Sequence, residues 1–138
     1  MKRIFTLFFL SFFFTQIAFS QSEKTFVKSL VAHTSNVVVD LEGAATVTEW
    51  NEKFIRVTTT VEVTNFSDDI LKRLVAVGRY EITGDIEDGV MIVRMPKLAT
   101  KVTIKGQLLE EIMTYEVFVP EGITVEMAEE DTSTTGVN

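Results

Sequence analysis

The chain of 138 residues contains no cysteine, one histidine, one tryptophan and two prolines. Without cysteine it can form neither a disulfide nor a thiolate zinc site, and it cannot carry a lipid on a cysteine at a processing site. The single histidine, His33, would have to serve as the base of any Ser-His-Asp triad. Its nearness in sequence to Ser29 and Ser35 does not indicate one, so we interpret His33 as a strand-end or turn residue. Because a glycine-rich phosphate loop is also missing, the sequence predicts no catalytic residue, no cofactor and no metal site.

The first twenty residues, 1–20, have the three zones of a secretory signal peptide. The basic pair Lys2-Arg3 precedes an apolar run, and small residues lead to a cleavage site that we place between Ser20 and Gln21. The apolar run is about 11 residues long, against the roughly 20 that a bilayer-spanning helix needs. An uncleaved anchor and a hydrophobic first helix of a cytosolic domain are the alternatives. We predict export to the periplasm, cell surface or extracellular space, with no transmembrane segment in the mature chain.

Loss of this segment changes the charge balance of the protein. It removes two of the 13 basic residues and none of the 20 acidic ones, which leaves 118 residues with a formal net charge of −9. That length is enough for one domain with a single core. Nucleic acids and anionic membranes bind clustered lysine and arginine, so the excess of acids argues against both. It suits a soluble protein or one that meets a basic partner.

Most of the remaining chain shows the two-residue period of half-buried β-strands. After a polar lead-in over Gln21–Lys24, the longest predicted strand covers residues 54–64. Its inward face is formed by Ile55, Val57, Val61 and Val63. A second inward face is formed by Met113, Tyr115, Val117 and Val119. We predict a mainly β fold of eight or nine antiparallel strands, in a sandwich-like or solenoid-cap arrangement.

A single segment, residues 67–77, changes to the period of a helix. Ser67 is placed to act as its N-cap, and Gly78 is suited to the position that follows the C-cap. Asp68 and Asp69 fall in the first turn, where the helix dipole favours negative charge. We therefore predict one short α-helix at about 67–77.

Three acidic groups could supply oxygen ligands to calcium in an exported protein. They are Asp85, Glu87 and Asp88; Asp68 and Asp69; and Glu129, Glu130 and Asp131. The first lacks the spacing of an EF-hand and is better explained as a hairpin turn at Glu87-Asp88-Gly89. The helix N-terminus explains the second, and the third belongs to residues 129–138, which we expect to be a disordered acidic, threonine-rich tail. No pair of carboxylates is singled out as a glycosidase site.

Trp50 is the one residue that we mark as a candidate ligand contact. It precedes a polar turn, where an exposed indole could stack on a carbohydrate. The alternative is that its ring covers the edge of the hydrophobic core.

The pattern between residues 26 and 127 resembles the adhesin-like β domains, of the auto-transporter adhesin type, of exported Bacteroidota proteins. The segments that carry the resemblance are Val39–Asn51, Phe54–Val57, Thr60–Val63, Asp68–Val77, Glu81–Ile82, Met91–Val93 and Val117–Val125. The last reads aliphatic-x-Val-Pro-x-Gly-x-x-Val, as in that family. The resemblance implies one β domain over residues 21–128 and no catalytic residues. Members often continue into parallel β-solenoid coils where this sequence has its acidic tail.

These observations lead us to expect a non-enzymatic protein of the cell envelope, an adhesin-like interaction or structural module. It would use an exposed strand edge or face to bind an envelope protein or a surface glycan. Two alternatives stay open: a carbohydrate- or calcium-binding module, and an exported hydrolase that uses two carboxylates. The oligomeric state is open as well.

Overall fold

The computed structural model describes residues 22–128, and within them the chain is mainly β, as predicted. The strands are β1 (Ser22–Val31), β2 (Asn36–Asp40), β3 (Ala44–Trp50), β4 (Phe54–Val63), β5 (Thr83–Glu87), β6 (Val90–Arg94), β7 (Thr103–Ile104), β8 (Gln107–Leu108), β9 (Glu111–Pro120) and β10 (Thr124–Met127). Helix α1 (Asp68–Ala76) follows β4, and a 3₁₀ turn (Pro96–Ala99) follows β6. The predicted signal peptide, residues 1–20, and the predicted tail, residues 129–138, lie outside the described residues.

The described strands form two four-stranded sheets and a small β7–β8 hairpin, and the pairing is mixed. One sheet has the order β1-β4-β9-β3 and the other the order β10-β2-β6-β5. The expectation of antiparallel strands holds for β1–β4, β4–β9 and β5–β6, whereas β3–β9, β2–β10 and β2–β6 are parallel. The alternation of inward and outward residues is the same for either direction, so the sequence pattern could not distinguish them.

The inner faces of the two sheets enclose one core, which makes the arrangement sandwich-like. Both predicted inward faces, on β4 and on β9, are buried, and valines of β2 and β6 meet them from the other sheet. Ile86 shares the parity of buried Tyr80 and Ile82 in the sequence but is 53% exposed. The strand β5 begins only at Thr83, so the alternation does not run unbroken from Tyr80 to Ile86.

Helix α1 has the predicted position and the predicted ends. Ser67 is the N-cap with extended backbone angles, although within the described chain its side chain makes no capping hydrogen bond. Gly78 has a φ of +75°, which a residue without a Cβ adopts at little cost. The amides of Gly78 and Arg79 donate to the carbonyls of Val75 and Leu74, which is the Schellman pattern of a helix end.

The predicted turn between β5 and β6 is also present. Asp88 and Gly89 both have positive φ angles, of 50° and 76°, as a two-residue hairpin of type I′ requires. The lead-in predicted at the start of the mature chain is wrong, because β1 already begins at Ser22, which pairs with Val63. Among residues 22–128 there is no helix long and apolar enough to cross a membrane.

Candidate functional site

The outer side of the β1-β4-β9-β3 sheet is a broad surface that we call the open face. Its central residues, all exposed or half-buried, are Thr25 and Val27 of β1, Arg56, Thr58 and Thr60 of β4, Ile112, Thr114, Glu116 and Phe118 of β9, and Ala44, Thr46, Thr48 and Trp50 of β3. Threonine hydroxyls form ranks across the strands; Thr25 and Thr60, for example, lie 3.4 Å apart at their Oγ1 atoms. The face is therefore rich in hydroxyls and open to solvent.

Three aromatic rings and one arginine form a cluster at one end of this face, which we call the aromatic cluster: Trp50, Phe54, Arg56 and Phe118. The ring centroids of Trp50 lie 4.9 Å from Phe54 and 5.2 Å from Phe118. The guanidinium carbon of Arg56 lies 4.9 Å from the centroids of both Trp50 and Phe118, within the range of a cation–π contact. The indole N–H of Trp50 donates to the Phe54 carbonyl oxygen at 2.9 Å.

The surroundings of Trp50 bear on one of the two interpretations of its role, namely that its ring covers the edge of the core. Its ring belongs to the open face, and the partly buried hydrophobic residues that pack against the core do not include it within the described chain. It is therefore not a cover for the core edge. Its half-buried state comes from the other members of the aromatic cluster instead.

Sequence reasoning missed Arg56 and Phe118 as neighbours of Trp50. Arg56 and Phe118 are direct cross-strand partners in the β4–β9 pairing, and their outward parity is readable from the sequence. The strand register that brings them together is not. What could have raised suspicion is that each places a large side chain on the solvent side of its strand.

Arg56 has no anionic partner in the described part of the chain. The four ion pairs found there involve Lys72, Arg79, Arg94 and Lys101. Although Glu116 shares the open face, no ion pair joins it to Arg56 within residues 22–128. The Nε atom of Arg56 is buried without an acceptor in the same residues. The rings thus contact the guanidinium, and its Nε–H has no acceptor within residues 22–128.

A second polar cluster lies inside the fold, around Arg79 and Glu111. The guanidinium of Arg79 donates from Nε to Glu111 Oε2 at 3.0 Å and from Nη2 to Oε1 at 2.7 Å, and the Tyr80 hydroxyl donates to Oε2 at 2.5 Å. Arg79 also donates to the carbonyls of Lys97 and Thr100. Burial, the hydrogen bond to Glu111 and its charge raise the pKa of Tyr80, and the hydrogen bond to Glu111 raises the pKa of Arg79. Both oxygens of Glu111 are therefore engaged.

A groove of about 480 Å³ adjoins this buried cluster. Arg79 and Glu111 contribute to its wall, and so do Lys101 and Glu42, whose charged atoms pair at 3.8 Å. These four charged side chains are engaged with one another in two pairs. The groove is therefore a poorer candidate for a binding site than the open face, where Arg56 is unpaired within the described chain.

The structure does not bring the other residues considered in the sequence into a site. His33 is exposed, and within the described residues no hydrogen bond joins it to Ser29 or Ser35. Asp85 accepts a hydrogen bond from Thr83 at 3.2 Å, and other acids of that turn and of the helix pair with bases or face solvent. No group of three or more His, Asp or Glu side chains that could hold a metal ion occurs in residues 22–128. Glu129, Glu130 and Asp131 lie outside the described residues.

Comparison with known proteins gives little further guidance. No protein-family model and no curated protein matches the sequence. A crystal structure described as a "putative cell adhesion protein" from Clostridium sporogenes is similar over 78% of this chain, with 11% sequence identity and a TM-score of 0.35. This chain spans 45% of that protein's length. A likeness so distant carries no argument about function.

Proposed function

We propose that this protein is an exported, non-enzymatic module of the cell envelope that binds its partner through the open face. The observation that carries the proposal is the open face itself: four strands wide, uncovered, and ending in the aromatic cluster. Aromatic and arginine side chains are the residues most often found at the energetic centres of binding surfaces. A solvent-facing sheet that served only to enclose the core would have no need of them.

Two observations favour binding over catalysis. Glu111 is the one carboxylate that the fold buries beside an arginine in the described chain, and its two oxygens already accept three hydrogen bonds. A general base must reach the proton that it abstracts, and three of the roughly four acceptor positions of this buried carboxylate are already filled. His33, the other candidate, is exposed in the connection between β1 and β2. These two features support our preference for a binding role over a catalytic one.

Export and the adhesive role rest on the sequence. The amino-terminal segment has the zones of a secretory signal, and the pattern over residues 26–127 resembles the adhesin-like domains of exported Bacteroidota proteins. The open face supports an adhesive role, because it is a surface on which an adhesive contact could form. Membership of that family is part of the proposal.

The test is affinity capture from the native envelope fraction. The full chain, carrying a C-terminal tag, would be produced in its own host and cross-linked reversibly before purification. The double variant Thr58→Gln/Thr114→Gln enlarges two central residues of the open face without changing the charge. Its matched control, Thr103→Gln/Thr124→Gln, makes the same change at exposed positions of β7 and β10.

We expect the wild type and the control to capture the same partner and the open-face variant to lose it. Cell fractionation should find the processed protein outside the cytoplasm. Equal capture by both variants would contradict a role for the open face, and a processed protein in the cytosol would contradict export.

A further inference from the structure

We infer that the free edge of β3 binds a basic, extended segment of another protein as an added strand. This edge is separate from the centre of the open face, so the inference goes beyond the proposed function. It starts from the backbone of β3, whose one strand partner in the described chain is β9. No further backbone hydrogen bond reaches Ala44–Trp50 from residues 22–128. The outer side of this seven-residue strand therefore presents a row of backbone groups that an extended segment can pair with.

The other sheet edges are protected in ways that β3 is not. Strand β1 carries Lys24 and Lys28, and Tyr80 stacks on its Phe26 with the ring centroids 5.9 Å apart, which brings the chain after α1 against this strand. Strands β5 and β10 have five and four residues. Strand β3 is longer than either of these two, contains neither lysine nor proline, and has a central run of threonine and valine of the kind that favours pairing. We therefore expect a strand to add at β3.

The charges of the fold are segregated, and they define the kind of strand that fits. Short connections of three residues join β2 to β3 and β9 to β10, so these four strands occupy the same half of the sandwich. They contain no lysine or arginine, whereas β1, β4 and β6 do. Four of their acids are exposed, and none of the four is in an ion pair within the described chain: Asp40, Glu49, Glu116 and Glu126. This half of the sandwich is therefore complementary to a basic segment.

The side chains of β3 set the pattern of the added strand. Thr46 and Thr48 belong to the open face, and Ala45 and Val47 point the other way and pack against the core. Residues directly opposite each other in paired strands share a face, so apolar side chains would lie beside Ala45 and Val47 and basic ones on the open face. A long lysine side chain beside Thr46 can reach towards Glu116, the partner of Thr46 on β9. A segment that alternates valine and lysine meets both requirements.

A second copy of this chain fits the edge less well than a basic segment does. It would bring its own Glu49 and Glu116 to the same edge, and each mature chain has a formal net charge of −9, so the two copies would repel each other. The same objection applies to residues 129–138, which begin with three acids. A lysine-bearing strand from a different protein removes this repulsion.

The test is a calorimetric titration of the purified full chain with the acetylated peptide Lys-Val-Lys-Val-Lys-Val-Lys. Two further peptides are methylated on alternate backbone nitrogens, either at the lysines or at the valines. Because successive N–H groups of a strand point to opposite edges, only one of these two patterns blocks pairing with β3. A fourth peptide has glutamate in place of lysine. The variant Glu49→Lys reverses a charge on β3, and its matched control Glu23→Lys makes the same change at an exposed position of β1, the opposite edge of the sheet.

We expect the lysine peptide to bind the wild type and Glu23→Lys equally. Glu49→Lys should weaken binding about threefold to tenfold, because an attraction between exposed charges becomes a repulsion. The blocking pattern of methylation should weaken binding about a hundredfold, since about three backbone hydrogen bonds are lost, and the other pattern should leave it unchanged. The glutamate peptide should show no binding. Thermal melts establish that both variants are folded, and the methylated peptides need no variant.

Three results would overturn the inference: equal effects of the two methylation patterns, equal binding of the lysine and glutamate peptides, or equal binding by Glu49→Lys and Glu23→Lys. Two others would assign the edge to a different occupant. Dimers in sedimentation that the peptide dissociates would indicate a second copy, and peptide binding that requires removal of residues 129–138 would indicate that segment. The proposed function is tested separately, because it depends on Thr58 and Thr114 at the centre of the open face.

Discussion

Replacement of Arg79 by methionine is expected to destabilise the fold by about 3–5 kcal/mol, the usual cost of removing one partner of a buried ion pair. The side chains of Arg79 and Glu111 are only 7% and 10% exposed, so water cannot take the place of the guanidinium. The change would leave the Glu111 carboxylate with the Tyr80 hydroxyl as its remaining donor. It would also release the Lys97 and Thr100 carbonyls, which Arg79 holds at 3.1 and 2.9 Å.

Such a loss is a large part of the 5–15 kcal/mol that typically stabilises a domain. Urea unfolding followed by circular dichroism would measure it as a lower midpoint at an unchanged slope. The matched control is Lys72→Met, which breaks an ion pair of 2.9 Å between solvent-exposed side chains and should have little effect, because water screens such pairs.

The double variant Arg79→Met/Glu111→Leu tests whether the stability lost in Arg79→Met comes from leaving the Glu111 carboxylate buried without its partner. Once both charges are gone, no uncompensated carboxylate remains, so the double variant should be more stable than Arg79→Met alone. The reasoning would be refuted if Arg79→Met cost no more than Lys72→Met, or if the double variant were less stable than the single one by the full cost of Glu111→Leu.

Two further predictions concern glycine and tyrosine. Gly43→Ala should destabilise by more than about 3 kcal/mol, because a φ of +135° is itself strained for a side chain and the new Cβ would lie 2.6 Å from the Met113 carbonyl oxygen. The control Gly106→Ala has a φ of +79° with nothing else within 4 Å in the described chain, and it should cost about 1–2 kcal/mol. Urea unfolding measures the stability of both variants. Equal losses would contradict a clash between the new Cβ at position 43 and the Met113 carbonyl oxygen. Burial raises the pKa of Tyr80 and Tyr115 above the ordinary 10.0, so above about pH 10 the unfolded chain loses protons that the folded chain keeps, and stability should fall as the pH rises. Absorbance of tyrosinate at alkaline pH should therefore rise together with unfolding, and ionisation of both tyrosines in the folded protein would contradict the prediction.

The sequence predicted those parts of the fold that depend on local pattern. The inward faces of β4 and β9, the helix between Ser67 and Gly78, and the turn at Asp88-Gly89 all follow from periodicity or from the needs of one turn. In each case the residues that carry the signal are neighbours in the chain. The start of β1 was missed because Ser22 and Lys24 face inward although they are polar.

The parts that escaped prediction depend on residues far apart in the chain. Arg79 meets Glu111 across 32 positions, and nothing local to either residue indicates its partner. Trp50 could be marked as a candidate contact, but its neighbours Arg56 and Phe118 are defined by the register of β4 on β9 and of β3 on β9. Register and strand direction are set by the packing of the whole sandwich, and a single sequence does not reveal them.

The order of the strands along the chain also affects when the protein can fold. Strand β9, near the end of the described chain, lies between β4 and β3, and β3 has no other partner among the described strands. A chain growing from its N-terminus therefore cannot complete this sheet until Pro120 has been made. Long-range pairing of this kind slows folding, which is compatible with the export that we propose. A chain that stops at residue 110 should lack a cooperative unfolding transition by circular dichroism.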